Sequence, residues 1–167
     1  EDTLSLHDAL PIYKVVQDFG IRQMYFDPNK GLFLNGKSTP LRGVNLHQDM
    51  LGKAWAISNA DIDQSFAMIK EIGANTLRLA HYPHSSYTLQ QADKLGVVVW
   101  AELPLVNATS VTALADPETT GFAANARQQL TELIRQQYNH SSIGMWSIAN
   151  EVAGGTTANN NVLPLFK

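Results

Sequence analysis

From Leu41 onward, short apolar runs alternate with longer segments of helical period, and no other feature restricts the fold so tightly. The first strand is expected over Leu41 to Asn45. A helix follows from Ser58, with Asp61 three residues on as its capping partner. Ile62, Phe66, Ile69 and Ile72 keep the helical period, and Gly73 stops it. A second strand is read at Asn75 to Ala80, and a second helix from Ser85 to Leu95, closed by Gly96. The third strand, Val97 to Trp100, is apolar without alternation, as a parallel strand buried on both faces should be. A third helix over Phe122 to Tyr138 carries Ala126, Leu130, Leu133, Ile134 and Gln137 along one side. Ile143 to Ile148 makes a fourth strand. Strands joined through helices imply a parallel sheet with right-handed crossovers. A doubly wound nucleotide fold would place glycines after its first strand. The turn here is Asn45-Leu46-His47-Gln48-Asp49, so a barrel is favoured.

Upstream of Leu41 the pattern is different. Phe19 to Met24 and Gly31 to Leu34 read as short strands. Asn35-Gly36 is a hairpin turn, because both residues tolerate positive φ. This stretch reads as the tail of an all-β module. Residues 1–11 fit no element, and a foreign origin is one reading of them.

Composition excludes several classes. At 44% hydrophobic the chain can bury a core. Twelve Lys and Arg against 15 Asp and Glu leave a net charge of -3, with no basic stripe for nucleic acid. No apolar run approaches the roughly 18 residues of a membrane span. No signal segment is visible, and cytoplasmic and periplasmic locations both stay open. Cysteine is absent, which removes disulfides, thiolate catalysis and Cys-ligated metals together.

The chemistry-bearing residues fall at strand ends. Strand one ends at Asn45 and His47. Strand two carries Arg78 and ends at His81. Strand three ends at Glu102, and strand four at Asn150 and Glu151. In a parallel barrel these ends share one face, where active sites lie. Structural readings stand beside the functional ones. Glu151 could be a solvated carboxylate, and His47 and His81 could be bonded to backbone. Arg78 could neutralise Glu102 or Glu151. His84 reads as a helix-start or surface residue. Trp100 and Trp146 read as core, with Trp55 a candidate to stack on a sugar. His47, His81 and Glu102 could form a two-His, one-carboxylate metal site, but nothing supplies a further ligand.

Four segments carry a family resemblance: Leu41-Arg-Gly-Val-Asn-Leu-His-Gln-Asp49, Gly73-Ala-Asn-Thr-Leu-Arg-Leu-Ala-His-Tyr-Pro83, Asp93-Lys-Leu-Gly-Val-Val-Val-Trp-Ala-Glu102 and Asn139-His-Ser-Ser-Ile-Gly-Met-Trp-Ser-Ile-Ala-Asn-Glu151. In order and spacing they resemble glycoside hydrolase family 2, which includes β-galactosidases, β-glucuronidases and β-mannosidases. The resemblance runs from about Ile12 to about Val152. It implies an α/β fold, the first half of a (β/α)8 TIM barrel of about four βα units, preceded by a short β segment. On that frame residues 12–40 would be the tail of a β-sandwich module and its linker hairpin. Residues 41–167 would be the N-terminal half of the catalytic barrel.

The resemblance further implies that Glu151 is the general acid/base and that Asn150 bonds the sugar 2-hydroxyl. His81, His47 and Asn45 would be sugar-binding residues, and Arg78 and Glu102 supports of the pocket. Leu79 to Pro83 and Val99 to Pro104 look most like a β-galactosidase group. The expected activity is hydrolysis of terminal β-D-galactosides by a retaining double displacement. β-Glucuronidase, β-mannosidase, or a non-catalytic sugar-binding or interaction half barrel are the alternatives. The family's nucleophile is a Glu at the end of strand seven, which this chain does not reach. Magnesium-binding members carry a Glu and a His just after strand three. Leu103-Pro-Leu-Val-Asn107 has neither, so no metal or other cofactor is expected. The expected partner is a β-galactoside or related oligosaccharide, with neither nucleic acid nor membrane. The full-length parent could be a homo-oligomer.

Overall fold

A computed structural model describes residues 14–106 and 121–151. Two sheets form. The first is an antiparallel meander of β1 (Met24–Asp27), β2 (Gly31–Leu34) and β3 (Lys37–Ser38). The second is parallel, built from β4 (Gly43–Leu46), β5 (Thr76–Leu79), β6 (Val98–Glu102) and β7 (Ile143–Ser147). Between its strands run α1 (Asn59–Glu71), α2 (Ser86–Leu95) and α3 (Phe122–Gln137). The parallel sheet has the order β4-β5-β6-β7, each strand added beside the last. A doubly wound sheet reverses direction at a switch point. Sequential addition is the order of a (β/α)8 barrel, of which four strands are present.

Local signals explain the helix ends. Ser58 Oγ accepts from the Asp61 N–H while the Asp61 carboxylate accepts from the Ser58 N–H, closing a capping box. Lys53 Nζ lies 2.7 Å from the same carboxylate. That ammonium, and then the Ser58 backbone and hydroxyl, hold Asp61 at about 2, below its ordinary 3.8. Gly96 ends α2 at φ 68°, a left-handed position that glycine adopts without a Cβ penalty.

The core lies on the helix side of the parallel sheet. Ile62, Phe66 and Ile69 of α1 and Leu89 and Ala92 of α2 meet Leu77, Leu79, Val99, Ala101 and Ile143. Strand side chains alternate between faces. Asn45, Thr76, Arg78, Trp100 and Met145 therefore line a groove on the opposite face, the inner wall of the barrel. The chain before β1 is tied to the start of β7. Arg22 Nε donates to the Ser141 carbonyl at 2.5 Å and its Nη2 to the Ile143 carbonyl. Asp93 of α2 holds the same turn, through His140 Nδ1 at 2.6 Å and the Ser142 N–H at 2.8 Å.

Several expectations change. The strand expected at Phe19 to Met24 begins only at Met24. Phe19 and Ile21 are 71% and 90% exposed, and Asp27 sets the hairpin register by accepting from the N–H groups of Asn29 and Lys30. The strand read at Leu41 to Asn45 is shifted to Gly43–Leu46, because Asn75 Oδ1 takes the Arg42 N–H before the ladder begins. β6 runs two residues past the Trp100 limit and ends at Glu102, which pairs with Ser147, so Glu102 does stand at the strand end. His84 is buried rather than on the surface, and Trp100 is 36% exposed rather than core. Trp146 packs on the core as expected. Residues 1–11 lie outside the described residues, as do 152–167.

Candidate active site

The C-terminal ends of the four parallel strands carry one hydrogen-bonded network, and Arg78 is its hub. Its Nε and Nη2 donate to Glu102 Oε2 and Oε1 at 3.0 and 2.9 Å. Nη2 also donates to Asn150 Oδ1 at 2.7 Å, and Nη1 to Asn45 Oδ1 at 3.5 Å. The guanidinium carbon lies 5.5 Å from the centre of the Trp100 ring, a cation–π arrangement. β4, β5, β6 and the end of β7 thus each contribute a side chain. The strand register explains why. Asn45 pairs with Arg78 and Arg78 with Trp100, so these side chains stand abreast on the inner face.

Glu102 is fully buried, whereas the Arg78 side chain keeps 22% of its surface. A buried carboxylate needs partners on both oxygens, and removing one partner from such a pair costs about 3–5 kcal/mol. Arg78 fills both oxygens, and His81 Nδ1 adds a third contact 2.6 Å from Oε1. His81 follows a cis peptide bond from Ala80. His47 stands edge-on to the His81 ring at 5.2 Å, with its Nδ1 3.3 Å from the Tyr82 hydroxyl.

Asn150 is held at both ends. Its N–H donates to the Leu105 carbonyl at 2.8 Å, extending the pairing of β6 with β7 past the last regular bridge. Glu151 then leaves the sheet at φ 47°, a left-handed value uncommon for residues other than glycine, asparagine and aspartate. Its side chain is exposed and stands outside the Arg78 network. The structure therefore brings together Asn45, His47, Arg78, His81, Glu102 and Asn150, with Glu151 next in the chain. Of the two roles weighed for Arg78, pairing with Glu102 is the one observed. Among the described residues no group of three His, Cys, Asp or Glu side chains is placed to hold a metal ion.

Tyr82 and Gln48 complete the scaffold, and the strand-end reading did not single them out. The Tyr82 hydroxyl accepts from the Gln48 N–H at 3.2 Å, and Gln48 Oε1 accepts from the Ser85 N–H at 2.6 Å. Tyr82 also stacks on His84 at 5.2 Å and meets Trp55 at 4.8 Å. Trp55 is 63% exposed on that ring. The only sequence signal was position, since Tyr82 directly follows a strand-end histidine. Burial lowers the His84 imidazole from 6.5 to about 4, so this ring is neutral and bonds the Ala80 carbonyl at 3.1 Å.

Residues 28–166 match the family model described as glycosyl hydrolases family 2, TIM barrel domain. A β-glucuronidase from Bacteroides fragilis is 42% identical over 151 residues, covering 90% of this chain and 22% of that protein. A β-galactosidase from Bacteroides ovatus is 32% identical over 133 residues, covering 80% of this chain and 15% of that protein. Among solved structures, a Bacteroides uniformis β-glucuronidase covalently bound to cyclophellitol-6-carboxylate aziridine superposes with a TM-score of 0.71. It is 34% identical over 88% of this chain and 18% of that one. The chain thus spans about a fifth of the length of the relatives it matches. The strand order, the polar network at the strand ends and the match over residues 28–166 agree: the chain belongs to glycosyl hydrolase family 2 and forms part of its TIM barrel domain.

Proposed function

We propose that this chain is the acid/base-bearing part of a retaining β-glycosidase, and that the parent protein acts on β-glucuronides. The observation that carries the reading is Asn150-Glu151 at the end of the fourth parallel strand, with the Asn150 amide held by the Arg78–Glu102 pair. Retaining hydrolysis needs two carboxyl groups about 5–5.5 Å apart. In this reading Glu151 protonates the leaving oxygen and then takes a proton from water. Asn150 bonds the sugar 2-hydroxyl, and His81, His47 and Asn45 line the sugar. A second carboxylate from another barrel strand attacks the anomeric carbon. No metal or other cofactor takes part in these steps.

The galactoside expectation gives way here to the glucuronide one. The 42% identical relative is a β-glucuronidase, and the superposed Bacteroides uniformis protein is held covalently by a compound bearing a carboxylate. That supports both a uronate substrate and a covalent intermediate. A β-galactoside is the second reading, favoured by the Bacteroides ovatus relative.

The test uses the full-length chain with p-nitrophenyl β-D-glucuronide and p-nitrophenyl β-D-galactoside. The glucuronide should be turned over faster. Glu151→Gln should lower kcat/KM by about 10²–10⁴-fold for glycosides with poor leaving groups. The loss should be smaller for p-nitrophenyl substrates, whose departure needs less protonation. A Glu151→Gln protein that keeps wild-type activity on both kinds of leaving group would remove Glu151 from the chemistry.

A further inference from the structure

We propose that Glu102 is the positioning residue of this site, selecting which atoms of His81 and Asn150 are offered to the sugar; this rests on the glycosidase reading above. Glu102 has no exposed surface, so it acts only through its neighbours. An ionised carboxylate accepts and cannot donate. The His81 Nδ1 lying 2.6 Å from Oε1 therefore carries a hydrogen, and Nε2 is the nitrogen left free of Glu102. The same carboxylate takes Nε and Nη2 of Arg78 at 3.0 and 2.9 Å, which fixes the plane of the guanidinium.

A guanidinium donates and cannot accept. The atom of Asn150 that Arg78 meets at 2.7 Å is therefore the carbonyl oxygen, and the amide NH₂ is the end left for a ligand. A flipped amide would set its own hydrogens against those of Arg78. One buried carboxylate thus decides two things at once: Asn150 presents a donor, and His81 presents Nε2. A glutamine at position 102 accepts with one atom only. Its NH₂ would face an Arg78 donor in either orientation, and in one of them His81 as well, so the plane of the guanidinium would no longer be set.

The test compares wild-type full-length chain with Glu102→Gln. The substrates are the p-nitrophenyl glycoside turned over faster, glucuronide or galactoside, and its 2-deoxy analogue. On the parent sugar Glu102→Gln should lose about tenfold or more in kcat/KM, mostly in kcat. On the 2-deoxy sugar the loss should be at least threefold smaller than on the parent sugar, because the hydroxyl that Asn150 serves is already missing and only the effect through His81 remains. In an Asn150→Ala background the substitution should show the same small loss on both sugars. Equal losses on both sugars in the otherwise wild-type chain would mean that Glu102 does not act through Asn150, and would overturn the proposal. If Glu102→Gln does not fold, Arg78→Lys keeps the charge and removes the fork. It must then show the same selective loss, and an unselective loss overturns the proposal equally. A wild-type protein that treats the sugar and its 2-deoxy analogue alike, or turns over neither glycoside, refutes the role given to Asn150. The proposal then falls with the reading it rests on, which is a different result from equal losses in Glu102→Gln.

Discussion

The four described histidines differ in what they meet. His81 faces a buried carboxylate, His140 an aspartate, His47 a phenol and His84 a backbone carbonyl. Only His84 is deeply desolvated with no acid beside it, and burial lowers it to about 4. The consequence for stability has a definite sign. The unfolded chain takes up this proton near 6.5 and the folded chain only near 4, so protons favour unfolding between those values. Stability from His84 is complete above 6.5, is lost as the pH falls to about 4, and amounts to about 3 kcal/mol. Urea midpoints across that window should fall more steeply for wild type than for His84→Gln, which keeps a donor for Ala80 and has no proton to gain. Parallel curves would show that His84 does not titrate differently on folding. The sequence allowed a helix-start or a surface reading of His84; it does stand directly before Ser85, the cap of α2, but it is not on the surface. In the structure the ring is buried, with Tyr82 stacked on it at 5.2 Å. By contrast, Arg78 and Glu102 could be matched from sequence, since residues at neighbouring strand ends must meet if the sheet is parallel.

Helix ends and strand order were legible because their causes are local. Ser58 with Asp61, and Gly96, are signals within a few residues of the ends they set. Strand limits were less legible because pairing sets them across the sheet. Glu102 belongs to β6 because Ser147 lies opposite, and β1 starts late because the turn after Asp27 fixes its register. The seam between the two sheets left no trace in the pattern at all. Gly144 of β7 sits under the β1 segment, where an added Cβ would meet Val98 Cγ1 at 2.7 Å and Met24 Cε at 3.3 Å. Val98 is β-branched and cannot swing aside within a strand. Gly144→Ala should therefore destabilise the chain by about 1–3 kcal/mol, as overpacking does. Chemical denaturation checks this, and Val98→Ala in the same chain should recover part of the loss. Additive effects of the two substitutions would mean that the close approach is not what excludes a side chain at position 144.

At the scale of the molecule, four parallel strands do not close a barrel. The inner face, with Asn45, Arg78, Trp100 and Met145, opens to one side, and both β4 and β7 are edge strands in this sheet. Unpaired strand edges beside an uncovered wall invite pairing with another chain. In the proposed reading Asn150 and Glu151 supply sugar binding and one proton transfer, whereas double displacement needs a second carboxylate. The isolated 167-residue chain should therefore be inactive on both p-nitrophenyl glycosides and should run larger than a monomer on size-exclusion chromatography. Hydrolysis that survives rigorous purification, yet disappears in Glu151→Gln, would show that the second carboxylate is already present in this piece. A monomer with a sharp two-state melt would show that the open wall is stable uncovered. Only the hydrolysis result would remove the reason for assigning the missing chemistry to the rest of the barrel, because that reason is geometric: the strands that would face Asn150 and Glu151 across the lumen are not among the four that hold them.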